Sequence, residues 1–453
     1  MKNLINWLIR KKIEFWVRKI REDNAEAILT KMTREMEKLP LEKKAKRNLE
    51  NLKGVFLSPK GLAYLRRIVE GINPLAKRKF LNFLLRISAM RMPGFYQYQK
   101  KYHHDPLFTI LISPTMRCNL KCEGCYANKY KREDDLPVKF FEKIITQGKK
   151  MGVILYTILG GEPFLLWPEL QQIIKKHQDV YFQIFTNGTI INEEIAEDLE
   201  KLGNAVVEFS LEGFIDATNS RRQKGVFEKV MTAMDILKKH GVPFGCSCCV
   251  TSRNVKEVMS DEFLDLLLKK GALVVWYFLY MPVGGAAEPK LMPTPEQREW
   301  MKNRGAEIRK TKAIFIIDFW NDAPYVRGCI AGRLFIHINS NGDIEPCIFF
   351  HFATHNIKKT SLEEALESEF FKDLRSRQPY SENLYTPCTI IDHPEVLDDL
   401  LKKHKPYPTH EGAEDVINKF FPCLTLYSQK VKEIYQRHWG KEVEEKFRKI
   451  HGK

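Results

Sequence analysis

The sequence contains no uncharged apolar run long enough to cross a membrane, so a membrane-spanning protein is not expected. Lys2, Arg10, Lys11 and Lys12 interrupt its first apolar residues, where a cleavable secretory signal would need a continuous apolar stretch. We therefore expect a cytoplasmic protein. Cysteine is also scarce, with 10 among 453 residues. In a reducing compartment these cysteines are expected to be free thiols or metal ligands, not disulfides.

Internal repeats and low-complexity segments are missing as well. A hydrophobic content of 44% and an aromatic content of 11% are those of a folded protein. The length predicts two or three domains, because single hydrophobic cores rarely grow this large.

The formal net charge of +16 lies entirely in residues 1–104, and the rest of the chain is balanced. Within residues 5–20, isoleucines and Trp16 recur at helical spacing on one face, with basic residues opposite. A basic amphipathic helix with Trp7 and Trp16 is typical of helices that lie in a membrane interface. We predict peripheral contact with the inner face of a membrane. An acidic protein, or a solvated helical lid with no partner, would fit the same charge, whereas nucleic acid is not expected.

From residue 105 the pattern changes to short apolar runs separated by longer amphipathic segments. Such alternation predicts parallel βα units. The six runs are LFTILIS, VILYTIL, VYFQIF, AVVEFSL, PFGCSCCV and ALVVWYFLY. Six units in about 200 residues predict a partial (β/α)6 TIM-like barrel, whose chemistry lies at the carboxyl ends of the strands. An open doubly wound sheet would give the same pattern.

The C-terminal region alternates differently. RLFIHINSNGDIEPCIFF reads as two strands around Asn341-Gly342, a strong hairpin signal. We predict three regions, namely a helical basic segment at 1–104, the barrel at 105–315, and a small α+β domain with a helical tail at 316–453.

Three of the cysteines lie within eight positions, directly after the first predicted strand. Cys118, Cys122 and Cys125 have the spacing C-x3-C-x2-C. Three closely spaced thiolates suit an iron–sulfur cluster or a zinc ion. A structural zinc ion wants a fourth ligand, and no further cysteine or histidine is close in sequence. Three ligands leave one iron of a cluster open, as a catalytic metal centre requires.

Further motifs end the next three predicted strands. They are Gly160-Gly161-Glu162-Pro163, then TNG with Asn187, then Ser210 and Glu212. Glycines let the backbone approach a ligand, and a carboxylate can accept hydrogen bonds from an ammonium group. Side chains two residues apart on a strand share one face. With the cysteine spacing, these motifs resemble the radical S-adenosylmethionine (SAM) superfamily.

The resemblance implies a catalytic [4Fe–4S] cluster on Cys118, Cys122 and Cys125, with SAM chelating the open iron. It implies that the cluster donates an electron, that SAM is cleaved, and that a 5′-deoxyadenosyl radical removes hydrogen from the substrate. Residues 160–163 are then expected at the SAM amino group, Asn187 near the cofactor, and Ser210 and Glu212 at the ribose. A ferredoxin or flavodoxin is expected as the electron donor.

Two positions depart from the superfamily pattern. Glu212 stands where an aspartate is common, and Gly124 stands where an aromatic residue often packs near the adenine. Tyr126 is expected to take over part of that adenine contact.

The later cysteines resemble the SPASM or twitch extension of the superfamily, which carries auxiliary iron–sulfur clusters. Cys329, Cys347 and Cys388 are the predicted ligands, with Cys423 as the fourth. Asp392 and His393 are alternatives for the fourth position. A full SPASM domain has about seven cysteines, so one auxiliary cluster is expected here and not two. The competing interpretation is a set of buried apolar cysteines.

Two further groups have no assigned role in the chemistry. Cys246 and Cys248 share one face of the fifth predicted strand and Cys249 takes the other, so all three are interpreted as core or barrel-interior residues, with a thiol near the substrate as the alternative. Arg221, Arg222 and Arg253 follow the fourth and fifth strands and stay unassigned.

The favoured function is a radical SAM enzyme that abstracts hydrogen from an unactivated carbon. The basic N-terminal region suggests a membrane lipid or isoprenoid as substrate. The alternative is a SPASM maturase that modifies ribosomal peptides, although no small winged-helix leader-binding domain is evident. A zinc-binding structural or nucleic-acid-binding protein would not explain the motifs on successive strands. A membrane adaptor without catalysis would not need the complete motif set.

Overall fold

A computed structural model describes residues 58–88, 92–130, 135–284 and 287–451, together with Phe15, Ala27, Thr30, Lys31 and Arg34. The predicted amphipathic helix at residues 5–20 lies outside the described residues, apart from Phe15. We number helices and strands within the described part of the chain.

The centre of the fold is one ten-stranded sheet in the order β11-β9-β8-β1-β2-β3-β4-β5-β6-β7. Strands β1 to β7 run parallel in sequence order, and β8 lies parallel to β1 on its other side. All six predicted strands are present. The strands are β1 Thr109–Ile112, β2 Leu155–Ile158, β3 Tyr181–Thr186, β4 Ala205–Ser210, β5 Phe244–Val250, β6 Val274–Leu279, β7 Phe315–Asp318, β8 Phe335–Ile338, β9 Asp343–Glu345, β10 Phe352–Ala353, β11 His355–Asn356 and β12 Tyr407–Pro408.

Helices precede, link and follow these strands. They are α1 Pro59–Gly71, α2 Pro74–Ser88, α3 Pro93–Tyr102, α4 Val138–Met151, α5 Trp167–Lys176, α6 Glu193–Leu202, α7 Ile215–Arg222, α8 Val226–Lys239, α9 Val255–Val258, α10 Asp261–Lys270, α11 Pro295–Thr311, α12 Leu362–Leu366, α13 Glu369–Ser376, α14 Pro394–His404, α15 Asp415–Asn418, α16 Phe421–Gln436 and α17 Lys441–His451. Short 3-10 helices cover Pro163–Leu166, Pro289–Leu291 and Ala323–Val326.

The helix α10 shows how the local sequence sets these elements. The Ser260 side chain accepts a hydrogen bond from the Phe263 amide and caps the first turn. Asp261 and Glu262 complement the positive end of the helix dipole. Gly271, at φ 106°, ends the helix in a left-handed conformation that other residues avoid. The apolar stripe of the helix, with Phe263, Leu264 and Leu267, is fully buried.

Helices α1 and α2 cover the amino ends of the barrel strands. Arg67 of α1 donates to the carbonyls of Ala272 at 2.6 Å and Ala313 at 2.8 Å, which lie in the loops that lead into β6 and β7. Phe83 of α2 stacks on Tyr181 at the start of β3, with ring centroids 4.9 Å apart. The opposite, carboxyl ends of the strands are therefore left for the functional site. No helix in the described part of the chain has the length and apolarity of a membrane span.

The predicted hairpin is confirmed, since β8 and β9 pair antiparallel on either side of residues 339–342. This hairpin extends the barrel sheet, because β8 is hydrogen-bonded to β1. Strand β7 spans the predicted boundary at 315/316 and pairs with β6. The second and third predicted regions therefore share one sheet, and the boundaries of all three regions stay predictions.

Candidate active site

The loop after β1 places Cys118, Cys122 and Cys125 at the carboxyl end of the barrel, all partly buried and unpaired by disulfides. The Leu120 amide donates to the Cys118 sulfur at 3.4 Å, and the Asn187 side-chain amide approaches it at 3.8 Å. Burial raises the pKa of the Cys118 thiol to about 11, and the nearby Cys122 and Cys125 add to this. The three sulfurs therefore form one group that a positively charged metal centre would stabilise as thiolates.

Tertiary packing explains why position 124 is a glycine. Gly124 has φ +64°, and a Cβ there would lie 2.5 Å from the ring of Tyr280. Tyr280 directly follows β6 and is buried, with its hydroxyl accepting from the Glu288 amide. An aromatic ring from β6 thus occupies the space beside the cysteine loop. Sequence reasoning missed Tyr280, because 156 residues separate it from Gly124 and no motif links them.

The glycines after β2 bring that loop against the cysteine loop. A Cβ at Gly160, which has φ +117°, would lie 2.3 Å from the Thr115 carbonyl oxygen. At Gly161 it would lie 2.0 Å from the Arg117 carbonyl oxygen. The amides of Gly161 and Glu162 donate to these same carbonyls, at 2.9 and 2.8 Å. Only glycine fits this close approach.

The Glu162 carboxyl is fully buried and ties the loops after β2 and β3 together. Its Oε1 accepts from the Thr186 hydroxyl at 2.7 Å and the Phe164 amide at 3.1 Å. Its Oε2 accepts from the Asn187 amide at 2.8 Å. Burial raises the pKa of Glu162 to about 7, although these hydrogen bonds lower it. Most of its acceptor capacity is therefore used within the protein, and contact with a SAM amino group stays a prediction.

Residues after β4 form a buried ionic group beside the cysteines. Glu212 Oε1 accepts from Arg221 Nη1 at 2.6 Å and from Arg222 Nε and Nη2 at 2.8 and 2.6 Å. Burial is the largest effect and lowers the pKa of the Arg222 guanidinium, but Glu212 and Cys122 together outweigh it and leave this pKa raised. Glu212 Oε2 is buried and has no hydrogen-bond partner among the described residues. One oxygen is therefore oriented by two arginines and the other is available to a ligand. Arg253 instead pairs with Glu123 in an exposed contact.

The strand β5 separates its cysteines as the alternation predicts. Cys246 and Cys248 are fully buried, with their sulfurs 3.8 Å apart. Cys249 is partly buried, and its thiol interacts with Arg221, Glu212 and Cys125. Burial raises its pKa to about 11. Cys249 thus lies on the barrel-interior face of β5, in line with the interpretation of these residues as core or barrel interior, and a place near the substrate stays a prediction.

Tyr126 and Ser210 complete the predicted cofactor positions. The Tyr126 hydroxyl donates to the Gly160 carbonyl at 3.4 Å, and its ring packs edge-on against Phe349, with centroids 5.8 Å apart. Ser210, partly buried at the end of β4, lies in register with Ser247 of β5. Pro163 begins the buried 3-10 turn after Glu162. The predicted SAM positions are therefore adjacent in space.

A second group of sulfurs lies in the C-terminal region. Cys329, Cys347 and Cys388 are close enough for each to perturb the pKa of another, and burial raises the pKa of Cys388 to about 12. The amides of Phe349 and Ile390 donate to Cys347 and Cys388 sulfurs, both at 3.4 Å. The structure thus brings these three predicted ligands together.

No contact between Cys423 and this group is present among the described residues, and Cys423 as the fourth ligand stays a prediction. Cys423 lies exposed near the start of α16, and its thiol donates to the Phe420 carbonyl at 3.0 Å. Asp392 is engaged by Arg298 at 2.6 Å, and His393 Nε2 contacts the Thr386 carbonyl at 2.9 Å. A residue absent from the prediction, Tyr380, is near these cysteines: burial and then the three thiols raise the pKa of its hydroxyl, and its hydrogen bond lowers the pKa of Cys329 against the effect of burial.

The side chains present fit iron–sulfur clusters. In the ranges that the structure describes, no three Cys, His, Asp or Glu side chains converge closely enough to hold a single metal ion. The ligand sulfurs of a cubane stand further apart than those around one ion, so two groups of three cysteines suit the larger centre. The unpartnered Glu212 Oε2 marks a polar ligand position beside the first group.

Comparison with known families agrees with this geometry. A model described as the radical SAM superfamily matches residues 112–267, and one described as the SPASM iron–sulfur cluster-binding domain matches residues 329–390. The chain belongs to the radical SAM superfamily. It is a radical SAM enzyme with a SPASM domain. Its cofactors are a [4Fe–4S] cluster, SAM and auxiliary iron–sulfur clusters. The zinc hypothesis is not supported.

Similar proteins include an AdoMet-dependent heme synthase of Methanosarcina barkeri, 24% identical over 62% of this chain and 87% of that protein. A PqqA peptide cyclase of Granulibacter bethesdensis is 25% identical over 54% and 68%. Among solved structures, Streptococcus suis SuiB bound to SAM has a TM-score of 0.54 at 18% identity, covering 75% of this chain and 84% of SuiB. These structures share the partial-barrel fold. The roles of individual residues here stay predictions.

Proposed function

We propose that this radical SAM enzyme removes a hydrogen atom from an unactivated carbon of its substrate. One observation carries the proposal. The loop of Cys118, Cys122 and Cys125 lies together with the glycine loop after β2 and with Glu212, whose Oε2 atom has no hydrogen-bond partner among the described residues. The second cysteine group supports an auxiliary cluster that binds substrate or accepts an electron.

Each group has a distinct task in this proposal. The three cysteines would hold the catalytic cluster, and residues 160–163 with Asn187 would position SAM. Arg221 and Arg222 orient Glu212 so that its free oxygen can accept from a ribose hydroxyl. Tyr280 and Tyr126 provide ring surfaces beside the cysteine loop. When bound, the cluster and SAM supply one-electron chemistry that no acid or base in the site could replace.

The substrate class has two candidates. The relatives named above include a peptide cyclase, and SuiB has also been solved bound to the precursor peptide SuiA. These comparisons support the peptide-modifying alternative better than the lipid or isoprenoid favoured from the charge of residues 1–104. The lipid candidate gains support from the barrel interior, described below. Membrane contact and a ferredoxin or flavodoxin donor remain part of the proposal.

The test is an anaerobic turnover assay. The protein is reconstituted with iron and sulfide, reduced, and given SAM with either total lipid extract or a pool of cellular peptides. We expect 5′-deoxyadenosine by mass spectrometry, and its loss when Cys118, Cys122 and Cys125 are replaced by Ala. Stimulation by only one extract identifies the substrate class. No 5′-deoxyadenosine with either extract, from protein with full iron content, would refute the proposed activity.

A further inference from the structure

The interior face of β4 to β7 carries a row of side chains that starts at the predicted SAM site. Strand register aligns Ser210 with Ser247, Ser247 with Trp276, and Trp276 with Ile317. Three strand spacings make this row about 14 Å long. In the layer above it, Cys249 is aligned with Phe278, and the Phe319 amide bonds to the Tyr277 carbonyl beside Phe278. We call Trp276, Phe278, Ile317 and Phe319 the aromatic wall.

The aromatic wall is accessible whereas the opposite strand face is not. Along β6 the burial alternates, with Val275, Tyr277 and Leu279 at 0–2% exposure under the helices and Trp276 and Phe278 only partly buried. The same alternation places Ile316 in the core and Ile317 in a partly buried position. The side chains of the wall therefore face the barrel interior, where a substrate would lie.

The rings of the wall form a continuous surface. Trp276 and Phe278 stack with centroids 5.9 Å apart, and Phe278 contacts Phe319 at 5.4 Å. The contacts continue to Trp320 at 5.6 Å and from there to Phe349 at 6.4 Å, two residues beyond Cys347. An apolar path thus leads from Ser210 to the auxiliary cysteines.

The wall carries no charge. The arginines nearest to its inner end, Arg221 and Arg222, are bound to Glu212. The Glu208 carboxyl on β4 accepts from Gln183 at 3.0 Å, and burial raises its pKa to about 8, so it is mainly neutral at pH 7. A charged ligand group would find no partner on the wall.

We propose that the aromatic wall binds an extended hydrocarbon chain of the substrate, with the reacting carbon near Ser210 and Cys249. A peptide would bring an amide donor and acceptor at every residue, and the two rows offer only the serine hydroxyls, the Trp276 indole N–H and one thiol to satisfy them. A hydrocarbon needs no such partners, and aromatic rings provide a large contact area for it. β7 is an edge strand of the sheet, so a long chain can extend beyond it.

The inference rests on the proposed function only in taking Ser210 as the SAM end of the row. Its test measures binding, without turnover. Tritiated hexadecanol, an uncharged 16-carbon alcohol, is dialysed against the iron-reconstituted enzyme with SAM. Phe319→Gln is compared with Phe319→Leu, and with the matched control Phe315→Gln at the start of β7, where the side chain is 52% exposed. Iron content and circular dichroism confirm that each variant is folded.

We expect saturable hexadecanol binding that is about tenfold weaker in Phe319→Gln, within threefold of wild type in Phe319→Leu, and unchanged in Phe315→Gln. Equal binding by Phe319→Gln and wild type, or no saturable binding, would overturn the inference. An uncharged, end-blocked apolar peptide that binds where hexadecanol does not would assign the wall to peptides instead. Failure to form 5′-deoxyadenosine would count against the proposed function and leave these binding results intact.

Discussion

Replacing Arg298 by Met should destabilise the C-terminal region by several kilocalories per mole. Arg298 of α11 and Asp392 form an ion pair with side-chain exposures of 1% and 0%, at 2.6 Å. The guanidinium also lies 5.6 Å from the Tyr435 ring. Asp392 in turn accepts from the Cys388 amide at 3.0 Å. This one pair therefore joins α11, α16 and the loop of an auxiliary cysteine.

The magnitude follows from burial. Removing one partner leaves the other charge uncompensated in the interior, which typically costs about 3–5 kcal/mol. Methionine fills a similar volume, so little of the loss comes from a cavity. Adding Asp392→Asn removes the orphaned charge, so the double variant should recover at least about 2 kcal/mol relative to Arg298→Met. Arg304→Met is the matched control on the same helix, since Arg304 pairs with Asp261 and Glu307, which are 53% and 60% exposed. That control should cost about 1 kcal/mol or less.

Urea denaturation of the iron-free protein, followed by circular dichroism, measures the free energies of unfolding. Iron content after reconstitution gives a second readout, because a displaced Asp392 loosens the loop of Cys388. We expect Arg298→Met to lose the auxiliary iron while Arg304→Met keeps it. A cost below about 1 kcal/mol for Arg298→Met, or a double variant less stable than both single variants, would refute the reasoning.

Three further predictions concern single carboxyl and thiol groups. Glu212→Gln should weaken SAM binding by about tenfold or more without changing iron content, because a charged acceptor is lost; unchanged affinity in equilibrium dialysis would contradict this. Glu162 has its pKa raised from 4.5 to about 7. The folded state therefore keeps a proton that the unfolded state loses, so its contribution to the free energy of unfolding should fall by up to about 3 kcal/mol as pH rises through this window. Glu162→Gln should abolish that component in urea titrations at pH 5 and 7.5. Cys423→Ser should retain all iron and Cys347→Ser should lose about four irons; the reverse pattern in an iron assay would restore Cys423 as a ligand.

The strands and the hairpin could be predicted because their causes are local. Patterns of consecutive residues predict the strand β6 and the hairpin at Asn341-Gly342, and both are present in the structure. Gly160 and Gly161 could be predicted because they belong to a short motif, although its steric cause is the close approach of Thr115 and Arg117 from the preceding βα unit.

Long-range partners were beyond the sequence pattern. Glu212 could be proposed as a ligand contact. Its hydrogen bonds from Arg221 and Arg222 could not, because they depend on how α7 packs over the end of β4. The exposure of Cys423 could not be predicted, because spacing along the chain does not show how the start of α16 packs. Tyr380 belongs to no recognisable motif, and its proximity to the three cysteines arises only from tertiary packing.

The pairing of β8 with β1 has a consequence for electron flow. Cys118 and Cys347 follow strands of the same rigid ladder, so the gap between the two predicted iron centres is a fixed dimension of the scaffold. Separate lobes joined by a hinge could vary this gap as substrates came and went. We therefore expect a constant electron-transfer distance between the two predicted centres, which substitutions in the aromatic wall for a new substrate would not change.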